Sequence, residues 1–262
     1  MAAAPLQFSE KASYNRHVVQ SEKRAFASPG RVGIIVQARM GSRRLPGKVL
    51  RKAHGKPMIQ YLLESLVHAA LGPTVVVTSD EVADDGIANL AKSMGLSCVR
   101  GDELDVASRF ETAILQYGFD AFVRVCGDSP LLDAELIRRG LTEFSTSDSD
   151  LVSNTQPRTF PKGQSVEVVR SKVFLAALPN FSEPEDREHV TRYFYRNPSR
   201  FRIRNFESNQ QIGQVQLSVD TPEDFSRFES LLAGTSRPHW EYRWSDWVAM
   251  GDDSVRKGNG LK

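Results

Sequence analysis

The sequence predicts a three-layer α/β domain on a mixed, mainly parallel sheet, and three observations carry that prediction. Short apolar runs rich in valine and isoleucine recur at Val32–Val36, Val75–Val77 and Ala121–Cys126, as strands buried on both faces require. Segments with apolar residues at helical spacing lie between them. Each run ends in polar residues, and in an open sheet of this kind ligands sit beyond the carboxyl ends of the strands.

Taken in order, Val32, Ile34, Ile35 and Val36 form the first strand. Pro57 starts a helix in which Ile59, Leu62, Leu63, Leu66 and Ala70 share one face, since proline is tolerated where the first amides have no partner. Thr74–Val77 is the second strand, ending at Thr78-Ser79-Asp80, and a helix follows to about Met94, stopped by Gly95. A short strand around Cys98–Arg100 precedes a helix marked by Val106, Phe110, Ala113, Ile114 and Tyr117. The strand Ala121–Cys126 and the helix Ala134–Phe144 complete the regular half. The second half predicts a strand at Val166–Val169, an amphipathic helix over Pro184–Arg196, and strands at Phe201–Phe206 and Val215–Val219. Thr221 then caps a helix, with Pro222 first and an acid three residues after the cap. Trp240, Trp244 and Trp247 at near-helical spacing predict packing rather than a binding cage.

Composition narrows the function classes. The 262 residues suit one large domain, or one with an appended lobe. A formal net charge of +2 gives no global field demanding nucleic acid. No apolar stretch approaches bilayer-spanning length, so no membrane partner is expected. Cys98 and Cys126 lie in strand-like runs and read as reduced thiols. Residues 1–30 are polar, weakly periodic and without an apolar core, which predicts a flexible extension of a cytoplasmic protein. The domain is expected over 31–250, with a flexible tail over 251–262.

The chemistry begins where the first strand breaks into a loop holding Arg39, Gly41, Ser42, Arg43, Arg44, Gly47 and Lys48. Glycines allow close backbone approach, and guanidinium and ammonium donors match phosphate oxygens. The spacing is neither that of a P-loop nor that of a dinucleotide fingerprint. Asp128 and Asp220 each follow an apolar strand, where a carboxylate can hold a hard cation against phosphates or serve as a turn or cap residue. Asp148-Ser149-Asp150 is a D-x-D pattern, but it falls at the start of a strand in a Ser/Asp-rich turn, on the wrong rim of the sheet.

Arg39-x-x-Ser42-x-Arg44-Leu45-Pro46-Gly47-Lys48 resembles the signature of the sugar-activating cytidylyltransferases, the 3-deoxy-manno-octulosonate and acylneuraminate enzymes. The Gly127-Asp128-x-Pro130 and Val219-Asp220-Thr221-Pro222 segments are also similar to that family. Arg124-Val-Cys-Gly-Asp-Ser-Pro-Leu, Gly163–Val169 and Arg187–Thr191 are closest to its spore-coat polysaccharide (SpsF-like) branch. Cys126 stands where the octulosonate enzymes place glutamine.

The resemblance implies a three-layer αβα fold of the nucleotide-diphospho-sugar transferase (GT-A-like) kind. It also implies a small lobe of about 155–210 for acceptor binding and dimerisation. It implies nucleotide contacts from Ala38, Arg39, Gly41, Ser42, Arg43, Lys48, Arg100 and Arg109, with Arg39, Lys48 and Asp128 catalytic. Mg²⁺ would lie on Asp128 and Asp220, and Gln164, Glu167, Arg187, Glu188 and His189 would meet an acidic sugar acceptor. Taken by themselves, Arg109 reads equally as a solvated helix position, and Glu188 and His189 read as ordinary helix-surface residues that only the resemblance singles out. The expected reaction is transfer of CMP from CTP to the acid, releasing pyrophosphate, with no evident side-chain base. Two other readings stay open: another NTP or a sugar phosphate as substrate, or a GT-A-like glycosyltransferase using Asp148 and Asp150. Val190, Tyr193 and Phe194 on one helix face, with the tryptophans, predict apolar surface that a homodimer would cover.

Overall fold

The computed structural model describes residues 30–251. Apart from Gly30 and Gly251, the expected N-terminal extension and C-terminal tail lie outside the described residues. The described residues form nine strands: β1 (Val32–Gln37), β2 (Lys52–Ala53), β3 (Lys56–Pro57), β4 (Thr74–Ser79), β5 (Ser97–Gly101), β6 (Ala121–Cys126), β7 (Leu151–Ser153), β8 (Glu167–Arg170) and β9 (Ile203–Asn205). Seven make one sheet in the order β5-β4-β1-β6-β8-β7-β9. β1 pairs in parallel with both β4 and β6, while β8 runs antiparallel between β6 and β7. β2 and β3 form a separate hairpin. Its two turn residues, His54 and Gly55, both have positive φ, as the turn that matches strand twist requires.

The strands alternate between two apolar clusters, which makes the three layers explicit. Ile34 and Val36 of β1, Val76 of β4 and Val123 and Val125 of β6 face the first cluster. Ile35, Val75, Val77 and Phe122 face the second. The first is covered by α1 (Met58–Ala69), α2 (Asp85–Ser93), α4 (Ala134–Ser145), α8 (Pro222–Ala233) and α9 (Trp244–Gly251). The second is covered by α3 (Val106–Tyr117), α5 (Ser171–Ala177) and α7 (Arg192–Arg196). Such two-sided burial explains why the strands read as unbroken apolar runs. Among the described residues, no helix is long and apolar enough to cross a membrane.

The second half departs from expectation in four ways. The single helix expected over Pro184–Arg196 is two, α6 (Pro184–Glu188) and α7, broken at His189-Val190-Thr191. His189 leaves helical geometry with ψ 50, and Thr191 spends its hydroxyl on Glu167 at 2.8 Å. Two successive β-branched residues at the break weaken helix continuation. Val215–Val219 forms no strand. It is a strap whose Val215 carbonyl accepts from the Lys162 amide, and whose Val219 amide donates to the Asp128 carbonyl, at 2.8 and 2.9 Å. Gly163, with φ 91, makes this possible: a Cβ there would stand 2.5 Å from the Ser218 nitrogen. Residues of about 155–210, expected as a lobe, place β8 and β9 in the main sheet. Finally, Val190, Tyr193, Phe194 and Trp247, expected on an apolar surface, are buried within the chain, while Trp240 and Trp244 stay partly exposed.

Candidate active site

The loop after β1 is pinned before it turns toward the sheet rim. The Ala38 amide donates to the Val77 carbonyl at 3.1 Å, and the Met40 amide donates to Asp84 Oδ1 at 2.7 Å. The other Asp84 oxygen accepts from the Thr78 hydroxyl at 2.9 Å, the Ser79 amide at 3.0 Å and the Ser79 hydroxyl. Burial alone would raise the Asp84 carboxyl, but these four donors outweigh it and hold the pKa below the ordinary value. Leu45 is buried as the loop's apolar anchor, and Gly47 takes φ 70 to reverse the chain. Lys48 therefore points inward, 7% exposed.

Lys48 Nζ donates to Asp128 Oδ2 at 3.2 Å, to Asp220 Oδ1 at 2.9 Å and to the Val219 carbonyl at 2.7 Å. Arg44 also reaches Asp220 Oδ1, at 3.0 Å. Asp128 arrives because Gly127 lets β6 leave the sheet against β1. Its amide donates to the Gln37 carbonyl at 2.8 Å, and a Cβ would meet Ala38 at 2.9 Å. Asp220 arrives on the Val215–Val219 strap.

Neither aspartate caps a helix. α8 has a capping box made by Thr221 and Asp224, and α4 is capped by Asp133. Both carboxylates are thereby left to meet the Lys48 ammonium. Burial raises the Asp220 carboxyl, but Lys48 and Arg44 overcome that and lower it. Among the described residues, no three His, Cys, Asp or Glu side chains converge to hold an ion. A pair of carboxylates suits magnesium, which completes its octahedron with phosphate and water.

Around this centre lies a cleft of about 540 Å³, lined by six cationic and three anionic side chains. Ala38, Arg39, Gly41, Ser42, Arg43, Lys48, Arg109, Asp128, Asp220, Glu188 and His189 all line it. Arg39 pairs with Glu188, and the break after α6 turns His189 to the cleft. Arg109 is 2% exposed, with Nε and Nη1 unpaired. Burial and the neighbouring Arg39 depress its pKa.

A second chamber of about 210 Å³ shares Arg124, Cys126 and Asp128 with the first. It adds Arg158, Lys162, Glu167 and the hydroxyls of Ser129, Ser165 and Ser218. Its wall is a polar network. Glu167 pairs with Arg124 and accepts from Thr191 at 2.8 Å and Tyr195 at 2.7 Å. Burial alone would raise the Glu167 carboxyl, and these donors lower it. Burial pushes the Cys126 thiol up to about 11, so it stays protonated at neutral pH.

Three expected contacts lie elsewhere. Arg100 clamps the turn after β4 through Ser79, Glu81 and Asp85. Gln164 is fully buried, bonding the Asp133 amide and the Leu131 carbonyl. Arg187 ties Leu178, Phe181 and Asp105 together. Conversely, Asp84, Arg158, Lys162 and Tyr195 carry no motif and enter the site only through folding. The D-x-D pair is consumed by Arg202, whose groups bond both Asp148 and Asp150 at the opposite rim.

The fold and cleft define an α/β protein that presents a loop of cationic side chains and a pair of carboxylates on one sheet rim. A family model described as cytidylyltransferase matches residues 33–239, and the chain belongs to the cytidylyltransferase family. The spore coat polysaccharide biosynthesis protein SpsF of Bacillus subtilis is 31% identical over 206 residues, covering 75% of this chain and 84% of that protein. The 3-deoxy-manno-octulosonate cytidylyltransferase of Paramagnetospirillum magneticum is 29% identical over 246 residues, covering 76% and 96%. The solved structure of a cytidylyltransferase from Leptospira borgpetersenii matches with a TM-score of 0.81 at 27% identity, covering 88% of this chain and 99% of that one.

Proposed function

We propose that this cytidylyltransferase moves CMP from CTP to a hydroxyl of an acidic sugar, releasing pyrophosphate, with magnesium held on Asp128 and Asp220. One observation supports the reading: Asp128 and Asp220 converge from distant segments on the Lys48 ammonium at the end of the Arg39–Lys48 loop. Magnesium bound there would supply a Lewis acid for phosphate oxygens. The remaining work belongs to the chain's own side chains. Arg39, Arg43 and Lys48, with the backbone at Ala38, Gly41 and Ser42, hold the triphosphate and offset charge as pyrophosphate leaves. Arg109 supports the nucleoside end of the cleft.

The second chamber takes the acceptor. Arg158 and Lys162 give it cations for an acid group, and Ser129, Ser165 and Ser218 give it hydroxyl partners. Glu188 and His189 line the first chamber and Glu167 the second. The names of two relatives, a polysaccharide biosynthesis protein and an octulosonate cytidylyltransferase, agree with this acceptor class. Pyrophosphate release with four NTPs, each against keto-deoxy sugar acids and sugar phosphates, tests the reading. CTP with a sugar acid should give the dominant rate. Equal rates with another NTP, or turnover only with a sugar phosphate, would overturn it.

A further inference from the structure

Resting on the magnesium reading just given, we infer that Lys48 is the resident cation of the Asp128–Asp220 pair. A divalent ion then binds there only when a nucleotide phosphate draws the lysine away. Lys48 Nζ lies within hydrogen-bond distance of both carboxylates, at 3.2 and 2.9 Å, and of the Val219 carbonyl at 2.7 Å. Its three donors therefore have three acceptors, and its ammonium occupies the position an ion bridging the two aspartates needs. Arg44 adds a second positive group on Asp220. A free divalent ion meets two carboxylates that are already neutralised, and among the described residues no third acidic, histidine or cysteine ligand joins them.

A triphosphate changes both sides of that balance. Its oxygens offer Lys48 a stronger acceptor than a shared carboxylate, and they supply the missing ligands of a hard cation. The loop that carries Lys48 lines the cleft with Arg39 and Arg43, the groups proposed above to meet the triphosphate. Nucleotide arrival and metal entry are thus one exchange: the ammonium moves to phosphate and the divalent ion takes its place. The device keeps two close carboxylates from repelling each other without nucleotide. It also makes free metal a poor ligand.

The test is Mn²⁺ binding to the full chain, followed by the electron paramagnetic resonance of free ion, first without nucleotide and then with CTP. Lys48→Met removes the ammonium at similar length, and Lys48→Gln also removes it while retaining a donor for the Val219 carbonyl. Either variant, shown folded by near-ultraviolet circular dichroism, should bind Mn²⁺ at least tenfold more tightly than wild type. Adding Asp220→Asn should erase that gain. If wild type binds Mn²⁺ as tightly as both variants, and Asp220→Asn abolishes binding, the lysine exchange is wrong and the metal assignment stands. If Asp220→Asn changes Mn²⁺ binding in none of these proteins, with or without CTP, the metal assignment fails and the inference falls with it.

Discussion

Replacing Asp84 with asparagine separates the brace of the Arg39–Lys48 loop from the loop's own side chains. The Asp84 carboxylate is 2% exposed and takes four donors, one of them the Met40 amide inside the loop. Asparagine has the same shape but one acceptor oxygen. If that oxygen keeps Thr78 and Ser79, the new amide nitrogen faces the Met40 N–H, donor against donor. Losing a charge-assisted hydrogen bond and orphaning a buried amide together cost about 2–4 kcal/mol. For a chain of this size that lowers Tm by roughly 5–15 °C.

Because Met40 anchors the loop that carries Arg39 and Lys48, KM for CTP should rise about tenfold as well. Thermal denaturation by circular dichroism, with and without CTP, and initial-rate kinetics read both effects. The pH dependence has a definite sign. The Asp84 pKa is lowered on folding, so its contribution is complete above the unfolded value near ~3.9 and is lost as pH falls through the folded value. The gap in Tm between wild type and variant should therefore narrow only below about pH 4. A variant whose Tm stays within about 1 °C of wild type, with unchanged KM, would refute the brace.

Three further outcomes are expected. Asp128→Asn should cut pyrophosphate release by about 10²–10³-fold or more, since charge at the reacting phosphates is lost, while the melting curve stays near that of wild type. Glu167→Gln leaves the Arg124 guanidinium without its counter-charge beneath the second chamber, which should cost about 3–5 kcal/mol in urea denaturation. Asp148→Asn should leave pyrophosphate release within about twofold, because that carboxylate pairs with exposed Arg202 at the far rim; a large loss would revive the D-x-D reading.

Local patterns reached much of this molecule. The β1 strand, the loop from Arg39 to Lys48, the turn at Asp128 and the Thr221–Asp224 cap are contiguous in sequence, and each is set by near neighbours. The strand Ala121–Cys126 has the expected bounds because its apolar run is buried on both faces. The second half was harder to read. The Pro184–Arg196 segment has a continuous helical pattern, yet Thr191 and Tyr195 are claimed by Glu167, 24 and 28 residues away. Gln164 and Arg187 lie in segments that match the family, and folding spends Gln164 on the Asp133 amide and Leu131 carbonyl and Arg187 on Leu178, Phe181 and Asp105 instead.

By itself, then, the sequence determined the strand–helix alternation, the Arg39–Lys48 loop and the two aspartates at strand ends, because periodicity and turn chemistry act over a few residues. The tertiary structure alone decided that Lys48 bridges Asp128 and Asp220, 80 and 172 residues distant. It alone decided that Asp84 pins the loop and that Arg158 and Lys162 face the second chamber. These are hydrogen bonds and charge pairs between segments that meet only when the sheet closes, and no local pattern encodes which buried donor will find which acceptor.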